Sequence, residues 1–545
     1  MTTFPLLEQP WVPVMKGGLR CEVSLREALS RAREIAELAV DDPLQAVAVL
    51  RQVLLPVVLD AFGMPADGRE WAERWAAGSF DAGALSSYFA EHAERFDLFD
   101  SVRPFGQVAG LRTERDETKP VSLLLAATAT GNNVPLFTPR TESDPPALSP
   151  AEAARALLAA QCWDTAAIKS GAVDDPRMKA GKTTGNPTGP LGQLGVIVPF
   201  GRTLFETLML NTPILADGVG GEDRPQWRAE PATAEWEPRP AKGLLDLLTW
   251  QSRRIRLVPE FDRTGAVVVR RVVVAAGDRL DPLPMYEPHT AWRRNPNPRA
   301  GQGPVWPVRH QPGRAAWRGL ASMLASGPTT ATAISTSRLL AQLPDLCRSG
   351  RLPKDLRLQV LTVGVEYGNR FAVVEDVMVD LIPLPVLALT DSDVRKFLLD
   401  VVGQADELRD AANRLGDDLR RAAGGEKLPW DRSQRLGDAL VHQFTPVVRR
   451  MLAGLQDKPH LVDDAEAAWR QTAARLALEA AEPALAAAPP EAFLGRELTE
   501  AFLGRELTEK VAFRLSVAEW IYTRSVNKIL GINQHEHPRQ EPDHE

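Results

Sequence analysis

Cysteine is scarce in this chain of 545 residues: Cys21, Cys162 and Cys347 stand far apart and form no C-x-x-C pair. That excludes a disulfide framework and a cysteine zinc site, and the eight histidines do not fall at zinc-ligand spacing with them. His535 and His537 lie in the polar tail NQHEHPRQEPDHE, where the composition points to a frayed terminus rather than a metal site. Long apolar runs are missing too: no stretch approaches the roughly 18–20 residues of a membrane span. The opening MTTFPLLEQPWVPVMKG has no basic segment followed by an apolar one, so a cytoplasmic protein with no membrane partner is expected. The net charge of -7 argues against a surface that coats nucleic acid all over. Catalytic signatures are lacking as well, with no G-x-S-x-G, no H-E-x-x-H and no G-x-G-x-x-G opening a helix. No catalytic residue, metal ligand or cofactor is expected.

What is present is local charge asymmetry. Between Arg253 and Arg318 stand thirteen arginines against five acids, interleaved with Trp292, Trp306 and Trp317. Arginine suits bidentate phosphate contacts, which makes Arg253, Arg254, Arg293 and Arg294 candidates; the other reading pairs these arginines with acids elsewhere in the chain. A second basic segment, KSGAVDDPRMKAGKTTGNPTGP, contains a Gly-Lys-Thr that looks like the end of a nucleotide-binding loop. The first glycine of that motif is replaced by Pro176, and two prolines follow where the helix should begin. What remains is a long basic loop carrying Lys169, Arg177, Lys179 and Lys182 among small residues. It is either a loop whose backbone closely approaches a ligand or a surface loop that binds nothing.

Periodicity implies an α+β chain: a large mixed N-terminal domain with long binding loops, residues 1–389, then a four-helix bundle, 390–532, and a polar tail, 533–545. SLREALSRAREIAELA, capped by Ser24, and DDPLQAVAVLRQVLLPVVLDAFG predict amphipathic helices. RTGAVVVRRVVVAAGDR predicts a strand, and LRLQVLTVGVEYGNRFAVVEDVMVDLIPLP two strands around a turn. Beyond Pro385, Val394, Phe397, Leu398, Val401, Val402, Ala405, Leu408, Leu415 and Leu419 trace one helical face. Further helices are predicted at about 435–455, 463–482 and 500–530. EAFLGRELT at 491–499 is repeated unchanged at 500–508. Nine residues advance a helix by about 900°, so the two copies cannot show one face to one core in a continuous helix.

Taken in order, FPLLEQPWVPV, VSLREALSRAREI, LLPVVLDAFG, ATGNNVPLF, GRTLFETLMLNTP, LLTWQSRRIRL, AWR and RHQPGRAAWRGL resemble the CasA family, the large subunits of the type I-E CRISPR surveillance complex Cascade. The resemblance implies a subunit that is not an enzyme. Such a subunit holds the 5′ end of the guide RNA, reads the protospacer-adjacent motif (PAM) of target double-stranded DNA, helps part the strands and docks the Cas helicase-nuclease, with other Cascade subunits as partners. It places the guide RNA handle at Asn132, Asn133, Leu136, Phe137 and Thr138. It places the loop that enters the minor groove at Lys169, Ser170 and Gly171, with Lys179 and Lys182 on neighbouring phosphates, although the run of glycines found in some members is absent. The strand wedge falls at Gly368 and Asn369, where some members have Gln. Paired cysteines that some members carry are missing. The alternative is a nucleotide-dependent accessory enzyme of nucleic-acid processing.

Overall fold

The computed structural model describes residues 2–126, 145–214, 222–298, 303–325, 334–353, 355–426, 435–497 and 512–532. They form two compact units, Met1–Ile382 and Pro383–Glu545.

In the first unit, Val12–Lys16 is the central strand of a small antiparallel sheet, flanked by Leu19–Val23 and Ile35–Leu38. The helix predicted from Ser24 does start there, with Ser24 Oγ accepting from Glu27 N at 3.2 Å, but it ends at Ser30. The chain turns so that Ile35, fully buried, can pair beside Lys16, and tertiary pairing overrides the helical spacing of that segment. The second predicted helix runs from Pro43 to Phe62, with a π segment at Leu50–Leu54. Pro56 has no N–H to give to residue 52, and the hydrogen-bond ladder widens just ahead of it. By length and composition this helix could cross a membrane, which corrects the expectation that no such run exists; 78% of its apolar window is buried as core.

The largest sheet is built on the hairpin of Arg253–Phe261 and Val267–Ala276. Val267–Ala276 also pairs antiparallel with Lys119–Pro120 and parallel with Lys169–Ser170, which in turn pairs with Lys182–Thr183. Helix Pro150–Trp163 packs on this sheet; Ser149 and Glu152 form a capping box, and the helix is buried along nearly its whole length. A third sheet has Gln359–Gly368 at its centre, between Val196–Phe200 and Val373–Pro383.

The second unit consists mainly of the helices Ser392–Ala422, Leu436–Asp457, Val462–Ala486 and Leu515–Leu530. The face traced in the sequence from Val394 to Leu419 is the buried face of the first of them. Asp391 caps that helix by accepting from Asp393 N and Val394 N. Gly437 lets the second helix approach the first, since a Cβ there would lie 2.2 Å from Arg409 O. The fourth helix begins at Leu515, not at 500, because Ala512–Phe513 pairs as a strand with Arg496–Glu497 from the first copy of the repeat. The second copy lies outside the described residues.

Candidate nucleic-acid interface

The basic segment folds as a hairpin. Lys179 N donates to Lys182 O at 2.9 Å and Lys182 N to Lys179 O at 3.1 Å, while Ala180 and Gly181 take φ values of 50° and 70°. Two successive left-handed residues make the tight turn that matches strand twist, with glycine at the second position. The Gly-Lys-Thr is therefore a turn leading into a strand, not a loop feeding a helix N-terminus; the next helical piece is the short 3-10 turn Pro190–Gln193. Lys179 and Lys182 stand exposed at its end.

The other residues assigned to DNA in this loop require correction. Gly171 is buried, and a Cβ on it would lie 2.3 Å from Met178 Sδ and 2.8 Å from the Gly181 carbonyl carbon. Its smallness lets the hairpin close on itself rather than letting backbone enter a groove. Ser170 is half-buried within the strand pairing. Lys169 is 9% exposed, with Nζ 2.6 Å from Asp164 Oδ2. Its ammonium is turned inward onto that carboxylate rather than outward as a phosphate contact would need, and burial lowers its pKa against the pull of the carboxylate.

Asp164 also accepts from Arg253 Nε at 2.5 Å, and Arg253 Nη2 donates to Thr165 O and Pro187 O. Burial pushes the Asp164 carboxyl up, but the two cations outweigh it and hold the group below its usual range. Arg254 binds Asp278 Oδ1 at 2.7 Å and Glu235 O at 2.8 Å. At 2% and 5% exposure, Arg253 and Arg254 are withdrawn as phosphate contacts; for these two the pairing with distant acids holds. Arg293 and Arg294 stay exposed on the strand Trp292–Arg294. The sequence shows that a segment is rich in arginine, but which arginines face solvent depends on acids some ninety positions away, as Asp164 is from Arg253. Among the described residues, no group of three His, Cys, Asp or Glu side chains is placed to hold a metal ion.

The turn YGNRF joins the two strands as expected, and its backbone is unusual. Asn369, Arg370 and Phe371 take φ values of 43°, 58° and 63° in succession, at roughly 1–2 kcal/mol per non-glycine residue. The turn is held from outside: Ala166 N donates to Phe371 O at 2.7 Å, and Tyr367 Oη donates to Trp163 O at 2.6 Å. Ala166 belongs to the short segment between Asp164 and Lys169, so one ion cluster supports both the turn 369–371 and the strand leading to the lysine hairpin. Asn369, Arg370 and Phe371 are exposed, Phe371 by 48%, with the Arg309 guanidinium 6.0 Å from its ring. Sequence reasoning named Gly368 and Asn369 and passed over Arg370 and Phe371; an aromatic residue inside a four-residue turn was the available signal. The guide RNA candidates Asn132, Asn133, Leu136, Phe137 and Thr138 lie outside the described residues.

Comparison with known proteins bears on the whole chain. Residues 5–480 match the family described as CRISPR-associated protein Cse1. A CasA/Cse1 protein of Thermus thermophilus is 30% identical over 436 residues, 78% of this chain and 79% of the relative. The crystal structure of Thermobifida fusca Cse1 superposes with a TM-score of 0.81 at 33% identity, covering 97% of this chain and 98% of that one. A chain of a structure described as a CRISPR RNA-guided surveillance complex shares the fold, with a TM-score of 0.69 at 21% identity, over 97% of this chain and all of that one. With the match running through both units and nearly end to end, the chain belongs to the CRISPR-associated Cse1 (CasA) family.

Proposed function

We propose that this chain is the large subunit of an RNA-guided CRISPR surveillance complex, with the guide RNA and the other Cascade subunits as its partners. In this reading it performs no chemistry: it reads the PAM in target duplex DNA, helps part the strands for guide pairing, and recruits the helicase-nuclease. Pairing then reads the sequence, while the protein reads a short motif and the backbone. The observation that carries the reading is the joint suspension of two exposed loops from one support. The lysine turn 179–182 and the left-handed turn 369–371 are both tied to the segment Asp164–Lys169, one offering cations for phosphates, the other a tip for a base step. Family membership supports the assignment to such a complex, as does the fold shared with a chain of an RNA-guided surveillance complex. The test uses the complex assembled with guide RNA and measures affinity for duplexes differing only in the short motif, at several salt concentrations. Motif-dependent, salt-sensitive binding is expected. Binding indifferent to the motif, or ATP turnover by the purified chain, would overturn the reading in favour of a nucleotide-dependent accessory enzyme.

A further inference from the structure

Between the wedge turn and the strand Lys169–Ser170 lies a cavity of about 280 Å³. Leu124, Ala160, Trp163, Val274 and Val374 supply apolar walls. Its charged lining residues are Asp42, Lys119, Asp164 and Lys169, two of each sign, so the cavity has no net charge to attract a phosphate. Thr165 and Ser170 also line it, and their hydroxyls bond to no group among the described residues. Ile168, 62% exposed, stands at its border, and Ala372 follows directly on the left-handed turn.

We propose that this cavity is a binding site for a single unpaired nucleobase displaced from the target duplex at the wedge turn. Three features favour a base over other occupants. The volume lies just below the roughly 300–1,000 Å³ of pockets for drug-sized ligands, which leaves room for one ring system and not for a strand. Apolar walls with the hydroxyls of Thr165 and Ser170 and the ammonium of Lys119 as donors match a neutral ring edged by carbonyl and ring-nitrogen acceptors. The site also begins one residue beyond the turn, where a nucleotide leaving the stack would emerge. Holding that base offsets part of the unstacking cost and opposes re-pairing, so the pocket sets how long the first opened step persists.

The inference rests on the strand-opening role proposed above, and the experiment separates the two. Assembled complexes open motif-bearing duplexes, each with one abasic nucleotide at one of the first positions beside the motif, in either strand. In the unaltered complex, one position is expected to lose roughly tenfold or more in the lifetime of the opened state when its base is missing, the scale of one base's stacking. Ala167→Leu narrows the cavity from a half-buried lining position. It should show the same loss on intact DNA and no further loss on the abasic DNA. Ser170→Val, which does not fill the space, should give a smaller loss in the same direction. Abasic substitution without effect at every position overturns the proposal, as does independent multiplication of the Ala167→Leu and abasic effects. A variant that fails to assemble while the unaltered complex ignores abasic sites would give the cavity to a protein side chain, also overturning it. Motif-dependent binding of intact duplex by the same complexes tests the parent reading alone.

Discussion

Asp164 accepts from Lys169 and Arg253 at once, one carboxylate facing two cations in a nearly closed space. Asp164→Ala would leave both cations without a counter-charge, and the first unit is expected to lose about 3–5 kcal/mol in denaturant unfolding. The exposed lysines behave differently. Lys179→Ala with Lys182→Ala should change stability by no more than about 0.5 kcal/mol while lowering the slope of log affinity against log salt for duplex DNA by about 2 in the assembled complex. An unchanged slope would remove this turn from the DNA contacts. A buried set elsewhere in the first unit gives a pH dependence. Arg51 and Glu287 form an ion pair inside the core, with His289 Nδ1 3.3 Å from Glu287 and Nε2 3.2 Å from Asn211 Oδ1. Burial pushes Glu287 up, but the Arg51 charge and the hydrogen bond from the His289 backbone N–H outweigh it and hold the carboxyl at about 2. Burial lowers the His289 pKa, which favours the neutral imidazole. Both groups bind protons more readily unfolded than folded. Their stabilisation is thus present above about pH 6.5 and lost as pH falls, first through histidine and then, below about 4.5, through the carboxylate. Glu287→Gln should destabilise by about 3–5 kcal/mol near pH 7.5, and its gap from the unaltered protein should narrow below pH 4.5 when the two are unfolded side by side.

At the level of elements, the hairpin Gln359–Gly368 with Val373–Pro383 holds three non-glycine residues in left-handed conformation, which persists because Ala166 and Tyr367 tether it. Shortening the turn by deleting Asn369–Phe371 is expected to leave motif-duplex affinity within about threefold and to slow strand opening at least tenfold, since a wedge acts by offsetting a few kcal/mol of unstacking per step. A target with mismatched strands beside the motif should restore the rate; failure of that rescue would sink the wedge assignment. The existence of this hairpin was legible in the sequence, because alternating β-branched residues around GNR require a turn. Its backbone conformation was not, since φ in a turn of this length is fixed by tethers from residues about two hundred positions away.

For the whole molecule, the division falls at Ile382/Pro383, and the short helix Val386–Thr390 goes with the second unit, where Leu384, Val386, Ala388 and Leu389 are buried. Residues 1–382 expressed alone are expected to keep their fold by circular dichroism and a cooperative melt, because each unit has its own core. That fragment should assemble poorly with partner subunits or fail to hold an opened target. A fragment that assembles and opens DNA like the full chain would show that the bundle is dispensable.

Local spacing was enough to settle the bundle face from Val394 to Leu419, the cap at Ser24, the valine-rich hairpin strand and the turn at YGNRF. These follow from periods of 3.6 and 2 and from side chains that bond to backbone three residues away. Tertiary structure alone decided which basic residues are available to a ligand. Lys169 and Lys179 read alike in sequence, as do Arg253 and Arg293, yet one of each pair is neutralised in the fold by Asp164, which lies near Lys169 in sequence and far from Arg253. A charge acts through whatever neighbours surround it in space, and Asp164 becomes the partner of Arg253 only once helix Pro150–Trp163 has packed on its sheet.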